Sequence, residues 1–156
     1  MNHTRIQFSD RKSEIDLNEL QQLFNRSAFW AKNRSIDDLR IAIANSDPVI
    51  AVWDGTQLIG FARATSDGVY RATIWDVVIQ QDYRGTGLGS KLVETLLSHP
   101  RMNRVESVYL MTTHQQKFYE KIGFQCNSTT TMVLFNKPKL GSLPVPEIQF
   151  QELLGG

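Results

Sequence analysis

The chain has 156 residues, of which 41% are hydrophobic and 21% charged, and its formal net charge is +1. The length predicts a single domain over residues 1–156, and the composition is ordinary for a globular protein without repeats or low-complexity segments. The small net charge and the lack of a long apolar run favour neither nucleic acid nor a membrane as a partner.

The first third of the chain has the periodicity of one strand followed by two helices. Thr4–Phe8 is a candidate strand, and apolar residues recur on one helical face from Asp16 to Ala28. Ser35 followed by Asp38 resembles a capping box, which predicts a second helix that ends before the break at Asp47-Pro48.

Three strands are predicted next. Val49–Trp53 and Gln57–Thr65 flank Asp54-Gly55, a dipeptide typical of a two-residue hairpin turn. A further turn at Asp67-Gly68 leads into a strand over Tyr70–Ile79. Simple alternation would place Ile74, Asp76 and Val78 on one face of this strand and Trp75, Val77 and Ile79 on the other.

A glycine-spaced loop, Arg84-Gly85-Thr86-Gly87-Leu88-Gly89, connects this strand to an amphipathic helix that we expect to end near Ser98. Free backbone N–H groups and the positive end of the helix dipole suit such a loop to a phosphate or pyrophosphate, and Arg84 adds a donor fork. The spacing excludes both a dinucleotide fingerprint and a P-loop, because Ser90 stands where each would need glycine.

The last part of the chain predicts a strand, a helix and a final strand. Val105–Met111 is the first strand, and Thr113 with Gln116 resembles a capping box for a helix that ends at Ile122 with Gly123 as its C′ residue. Thr129–Phe135 is the final strand. The order β-α-α-β-β-β-α-β-α-β predicts an α/β sandwich with an antiparallel first half.

Two motifs in this order resemble the signatures of the GNAT superfamily of acetyl-CoA-dependent N-acetyltransferases. One is Arg84-x-x-Gly87-x-Gly89 after a β-branched strand, and the other is Phe118-Tyr119 followed by Gly123-Phe124. The similarity covers roughly residues 49–135. The segments Gly60–Asp67 and Ala72–Val77 resemble a cyanobacterial and plastid branch, which includes plant enzymes that acetylate serotonin, related arylalkylamines and protein lysines.

This resemblance implies a GNAT fold: a mixed, mostly antiparallel sheet splayed between strands 4 and 5, with about four flanking helices. The core would span about residues 4–136, with a tail over 137–156. It also implies transfer of the acetyl group of acetyl-CoA to a primary amine by direct attack in a ternary complex, in a monomer or homodimer. The implied acetyl-CoA contacts are Val77, Val78, Ile79, Arg84, Gly85, Thr86, Gly87, Leu88, Gly89, Ser90, Thr112 and Phe118.

Two side chains are candidates for the chemistry itself. Tyr119 holds a proton at neutral pH, since the ordinary pKa of tyrosine is about 10, and it could protonate the leaving thiolate; the alternative is a core aromatic. Asp76 is a carboxylate inside a strand, where carboxylates are depleted. It could act as a general base, hold a cationic amine, or serve only the structure.

The acceptor side is less defined. Phe29 and Trp30 lie past the regular stripe of the first helix and, with Trp75, are candidates for the acceptor wall. Serotonin-acetylating relatives tend to carry an acidic residue before the tyrosine helix, whereas this chain has Met111-Thr112-Thr113-His114. His114 could replace that acid as a base or could simply be solvated.

Other functions remain as alternatives. The chain could be a catalytically silent module that binds CoA, or a general phosphate-binding α/β domain. His3, His99 and Cys126 lack the spacing of metal ligands, so no metal site is predicted. Because Cys126 is the only cysteine, it forms no internal disulfide, which predicts a reducing, cytoplasmic location.

Overall fold

The computed structural model describes residues 5–129 and 131–137. The chain divides into two compact units, Met1–Gln125 and Cys126–Gly156. The first unit contains five strands and four α-helices among the described residues. In chain order these are β1 Ile6–Ser9, α1 Leu17–Ser27, α2 Ile36–Ala44, β2 Val49–Asp54, β3 Gln57–Ser66, β4 Arg71–Ile79, α3 Leu88–Ser98, β5 Ser107–Tyr109 and α4 Gln116–Ile122.

The strands form one sheet in the order β1-β2-β3-β4-β5. The first three pairings are antiparallel, and the last, between β4 and β5, is parallel. Only Arg71–Thr73 of β4 pair with β5, so β4 continues to Ile79 beyond the end of its partner. The mixed sheet with a splay between the fourth and fifth strands confirms the predicted fold class.

Local side-chain chemistry explains where several helices begin and end. Asp16 accepts hydrogen bonds from the backbone N–H groups of Asn18 and Glu19 at the start of α1, and Ser35 accepts one from Asp38 N at the start of α2. Gly123 ends α4 with a φ of 122°, as the C′ glycine predicted.

Two hydrophobic clusters cover the opposite faces of the sheet. On one face, α1 and α2 contribute Leu20, Leu23, Phe24 and Leu39, which pack with Phe61 and Val78 of the sheet. On the other face, α3 contributes Leu88, Leu92, Val93 and Leu96, which pack with Ile74 and Ile79. Burial of these apolar stripes is the main force that holds helices on the sheet.

Four predictions about the elements need correction. The hairpin turn is Gly55-Thr56, because Asp54 pairs with Gln57 and so belongs to the ladder. The fifth strand spans only Ser107–Tyr109, since parallel pairing with β4 ends there. The helix after it has Gln115 as its N-cap with no side-chain cap bond, and the threonine that bonds to Gln115 N is Thr112. The fourth correction concerns the final strand.

The predicted strand over Thr129–Phe135 is wrong for residue 129 and for residues 131–135, none of which is in a strand, and residue 130 lies outside the described residues. They belong to no strand of the sheet that the described residues form. Apolar and β-branched residues favour a strand only where a neighbour supplies backbone hydrogen bonds and packing. Residue 4 of the first predicted strand lies outside the described residues. Among those described, no helix combines the length and the apolar character needed to cross a membrane.

Candidate active site

A β-bulge interrupts β4 close to its middle. Phe61 pairs with Val78 and Arg63 pairs with Trp75, so the single residue Ala62 stands opposite both Asp76 and Val77. Asp76 has a φ of 57°, a left-handed conformation that is uncommon for any residue except glycine. Strain of this kind concentrates at functional sites, where the surrounding structure holds the residue in place.

The bulge also changes which way the side chains point. Ile74 packs in the α3 cluster, whereas Val78 packs in the α1–α2 cluster and Ile79 in the α3 cluster. The expectation that Ile74 and Val78 share a face is therefore wrong, because an extra residue shifts the alternation by one.

The bulge places Asp76 at the centre of a charged cluster. Its side chain is only 5% exposed. Its Oδ2 accepts hydrogen bonds from Arg34 NH1 and from Arg63 Nε, each at 2.8 Å. Its Oδ1 accepts a third from Trp30 Nε1 at 3.1 Å. One carboxylate therefore joins three elements: the bulge, the segment between α1 and α2, and β3.

These partners determine the charge state of Asp76. Burial alone would raise the pKa of its carboxyl, but the hydrogen bonds and positive charges of Arg34 and Arg63 outweigh that effect and hold the pKa below its ordinary value of 3.8. Asp76 is an anion at neutral pH with both oxygens engaged. A carboxylate in this state is a weak proton acceptor.

The cluster extends toward the end of α2. Arg63 NH1 donates to the hydroxyl of Ser46, a fully buried residue whose own hydroxyl donates to Ala42 O. Lys12 Nζ donates to Ser46 O at 2.8 Å. Arg63 also lies over the ring of Trp75, 6.0 Å from its centroid. The arginine is thus fixed on several sides, as expected for a group that must hold one orientation.

The glycine-spaced loop after β4 has the backbone shape that an anion site needs. Gly85 and Gly87 have φ values of 78° and 85°, and Gly87 is the N-cap of α3. A Cβ atom at either position would meet nothing within 4 Å, so the space in front of the loop is open. Leu88, Gly89 and Ser90 form the first turn of α3, whose N–H groups have no partner within the helix.

Arg84 holds the base of this loop. Its Nε donates to Ile79 O at 3.0 Å, and its NH2 donates to Ser27 O at 2.7 Å. The guanidinium, expected from the sequence to face an anion, therefore ties the end of β4 to the end of α1. Thr86 Oγ1 donates to Tyr83 O and closes the loop from inside.

Helix α4 lies against the same loop. A Cβ atom on Gly89 would stand 3.4 Å from Phe118 Cζ, so the Phe118 ring lies close to the first turn of α3. The half-buried ring of Tyr119 packs edge-on against Phe118 and Phe124, at centroid distances of 4.9 and 5.8 Å. Burial raises the pKa of the Tyr119 hydroxyl above its ordinary value of 10.0, which keeps the proton on the oxygen.

The remaining candidates lie in different places. Phe29 is 75% exposed and packs edge-on against Trp30, so both rings stand at the surface beside Asp76. Trp75 is half-buried and donates from its indole to Thr65 Oγ1. Thr112 is half-buried, and His114 is exposed in the turn before α4. Within the described residues, no group of three or more potential metal ligands is present.

Sequence reasoning missed Arg34 and Arg63. Arg63 did leave a signal, because it is a charged residue between two alanines in a buried strand, opposite another strand that carries a buried carboxylate. Charged residues are rarely buried without a partner, so the two strands could have been paired on this basis. Arg34 leaves no comparable signal, since it lies in a polar segment.

Comparisons with known proteins agree with this architecture. The family model described as "Acetyltransferase (GNAT) family" matches residues 17–124. A GNAT-family acetyltransferase from Streptococcus pneumoniae superposes with a TM-score of 0.70 at 21% identity, covering 85% of this chain and 98% of the other. The ribosomal-protein-S18-alanine N-acetyltransferase of Escherichia coli superposes with a TM-score of 0.64 at 18% identity, covering 77% of each chain. These two similarities concern the fold.

Curated relatives are closer in sequence. An uncharacterized N-acetyltransferase, ycf52, of Pyropia yezoensis is 37% identical over 129 residues, covering 77% of this chain and 73% of the relative. GCN5-related N-acetyltransferase 2, chloroplastic, of Arabidopsis thaliana is 39% identical, covering 81% and 56%. Serotonin N-acetyltransferase 2, chloroplastic, of Oryza sativa is 32% identical, covering 75% and 61%. The chain thus spans about half to three quarters of these relatives' own lengths.

The chain belongs to the GNAT family of acetyltransferases. It is an acetyl-transferring enzyme, and the family to which it belongs uses acetyl-CoA as the donor.

Proposed function

We propose that this enzyme transfers the acetyl group of acetyl-CoA to a primary amine by direct attack, with both substrates bound at the β4 bulge. The observation that carries the proposal is the position of the Phe118 ring close to Gly89. It brings the glycine-spaced loop beside the helix that carries Tyr119. Acetyl-CoA bound at the loop would therefore have a proton-bearing hydroxyl nearby.

The open loop suits the pyrophosphate of acetyl-CoA. The first N–H groups of α3 and the positive end of its dipole favour an anion there. Arg84 contributes by positioning the loop, because its guanidinium is bonded to two backbone carbonyls. Backbone groups of Val77–Ile79 would contact the pantetheine arm and the acetyl group, as the family resemblance implies. Thr112 and Phe118 would complete this side.

The chemistry requires one bond to form and one to break. The amine nitrogen attacks the thioester carbon, the tetrahedral intermediate collapses with loss of the C–S bond, and the departing thiolate takes a proton. Tyr119 is the proposed donor of that proton, because its raised pKa keeps it neutral at physiological pH. The phenolate that remains regains a proton from solvent.

The amine must also lose a proton, and Asp76 is a poor acceptor for it. Two guanidiniums already satisfy the carboxylate, which we therefore assign a positioning role. The same positive charges lower the pKa of a nearby ammonium and raise its neutral fraction. The acceptor ammonium can then lose its proton to solvent, through water near Thr112 or Thr113 or through His114. No dedicated carboxylate base is needed.

For the acceptor, we propose a site walled by Phe29, Trp30 and Trp75 at the outer side of the bulge. Trp30 carries this assignment, since its indole is hydrogen-bonded to the buried carboxylate while 38% of its surface remains exposed. One relative is named a serotonin N-acetyltransferase. An arylalkylamine such as serotonin and a protein lysine or N-terminus are therefore both candidate acceptors.

An assay of thiol release from acetyl-CoA tests the proposal across serotonin, a lysine peptide, an amino acid and a polyamine. We expect saturable turnover with at least one of these amines. Tight CoA binding with no turnover across the panel would favour the silent CoA-binding module instead.

For the compartment, we propose a reducing one, either cytoplasm or plastid, because two relatives are named chloroplastic. Light scattering would distinguish a monomer from a homodimer.

A further inference from the structure

We propose that the preferred acceptor carries a carboxylate or phosphate a few bonds from its amine, and that the Arg34 guanidinium binds this anionic group. The inference rests on the proposed function, since it concerns the acceptor side of the same site, and it ranks an amine with its own anionic group above serotonin and a peptide lysine, which lack one. It makes Arg34 a residue that determines specificity.

The charge at the bulge carries the first step. Asp76 lies within hydrogen-bond distance of two guanidiniums, which leaves one positive charge in excess. Lys12, bonded to Ser46 O, adds another cation behind Arg63. Of the carboxylates nearby in the sequence, Asp37 pairs with Arg40 and Asp47 with Arg101, and among the described residues the exposed Asp38 forms no ion pair with the cluster. The cluster therefore disfavours a dicationic acceptor and favours an anionic group.

Donor capacity carries the second step. A guanidinium has five N–H donors, and within the described residues Arg34 donates one of them, to Asp76. Its side chain is 34% exposed, so part of it faces solvent. Arg63 is less available, since it is 17% exposed and bonded to both Asp76 and Ser46.

Preorganisation carries the third step. Gln21 Nε2 donates to Arg34 O at 2.8 Å, and Asn33 N donates to Asn25 Oδ1 at 3.0 Å. Both bonds tie the segment before α2 to α1. The Arg34 guanidinium also lies 5.5 Å from the centroid of the Phe24 ring. An arginine held in this way loses little freedom when it binds a carboxylate or phosphate in a forked pair.

The test compares amines of similar length with different far ends: butylamine, 1,3-diaminopropane, 3-aminopropanoate and O-phosphoethanolamine. We expect kcat/KM to be highest for the carboxylate or phosphate compound and lowest for the diamine. In Arg34→Gln, the ratio of kcat/KM for the better anionic amine to that for butylamine should fall roughly ten- to one-hundred-fold, as for the loss of a charged hydrogen bond. Arg34→Lys should retain part of the preference.

Arg40→Gln is the matched control, because it removes one cation from nearby α2 without touching the cluster. Its ratio should equal that of the wild type. Wild-type turnover that is equal or better with butylamine, or an unchanged ratio in Arg34→Gln, would overturn the inference while leaving the proposed function intact.

Calorimetry separates the two proposals. O-phosphoethanolamine is titrated into wild type and Arg34→Gln, each saturated with CoA. Binding that depends on Arg34 supports the anion site even if no amine in the set is acetylated, an outcome that would count against the proposed function alone. Equal binding to the two proteins, or none to wild type, counts against the anion site.

Discussion

Asp76 illustrates how one residue can connect a backbone irregularity to the charge of a site. Its left-handed backbone turns the carboxylate toward Arg34, Arg63 and Trp30, and those contacts in turn hold the bulge in place. A carboxylate that is fixed in this way supports neighbouring groups instead of exchanging protons.

Asp76→Asn should lower the free energy of unfolding at pH 7 by roughly 2–3 kcal/mol, because it leaves two half-buried guanidiniums without a counter-charge. Since the pKa of Asp76 is lowered in the folded state, its contribution is present above the ordinary pKa of 3.8 and is lost as the pH falls through the lowered value. Urea unfolding at pH 7 and near pH 3 should therefore show a smaller difference between variant and wild type at the lower pH.

The control for this prediction is Asp37→Asn, which removes a carboxylate that is 88% exposed in its pair with Arg40. A surface pair of this kind contributes about 0–1 kcal/mol. If Asp37→Asn and Asp76→Asn destabilised the protein equally, the supporting role of Asp76 would be wrong.

Tyr119→Phe tests the proposed acid directly. The ring and its contacts with Phe118 and Phe124 are kept, while the proton is lost, so kcat should fall roughly 10²–10⁴-fold with little change in acetyl-CoA affinity. Because the pKa of Tyr119 is raised, any loss of wild-type activity from its ionisation should occur above pH 10.0. Steady-state kinetics of both proteins across pH measure this.

Tyr70→Phe is the comparison variant, as Tyr70 is 61% exposed at the start of β4. It should keep wild-type kinetics. A Tyr119→Phe protein that melts like wild type and turns over within a small factor of it would remove Tyr119 from the mechanism and favour a water chain near Thr112 or Thr113.

Among the elements, the turn from β4 into α3 depends most on glycine. The chain contains two glycines with nearly the same backbone, Gly87 in this loop and Gly68 in the turn before β4, with φ values of 85° and 81° and open space around each. A side chain at either position carries a similar conformational cost, on the order of 1–3 kcal/mol. The pair therefore separates backbone strain from ligand binding.

Gly87→Asp should abolish measurable acetyl-CoA binding, because a carboxylate would occupy the open space and repel the pyrophosphate. Gly68→Asp should bind acetyl-CoA as wild type does, despite a similar loss of stability. Isothermal titration calorimetry on both folded variants measures the difference. Unchanged affinity in Gly87→Asp would show that the loop does not hold the donor.

Helices whose ends are set by residues adjacent in the sequence could be predicted from the sequence. The Ser35 cap, the Gly123 helix end and the glycine loop are local features. Each of them correctly predicted where a helix begins or ends. The bulge could not be predicted, because it depends on how β3 and β4 align. The Asp76–Arg34 contact joins residues 42 positions apart and needed the fold first. The final strand was predicted wrongly because its β-branched and apolar residues favour a strand locally, whereas a strand also needs a pairing partner that local sequence cannot specify.

At the scale of the whole molecule, binding of acetyl-CoA should raise the free energy of unfolding. A ligand that binds only the folded state at one hundred times its Kd adds about 2.7 kcal/mol, which raises the Tm of a domain of this size by roughly 5–10 °C. We expect this shift with acetyl-CoA and with CoA, measured by differential scanning calorimetry. An equal shift with ADP at matched concentration would favour a general phosphate-binding domain.

The bulge in β4 has a consequence for which changes of length this strand can tolerate. Ile74 before it and Ile79 after it pack in the α3 core, whereas Val78 packs in the α1–α2 core. Removing Asp76 would leave Val77 alone opposite Ala62 and restore plain alternation, so Ile74, Val78 and Ile79 would keep their present faces. A one-residue deletion at the bulge is therefore a local change, which removes the charged site and spares the packing on both faces of the sheet.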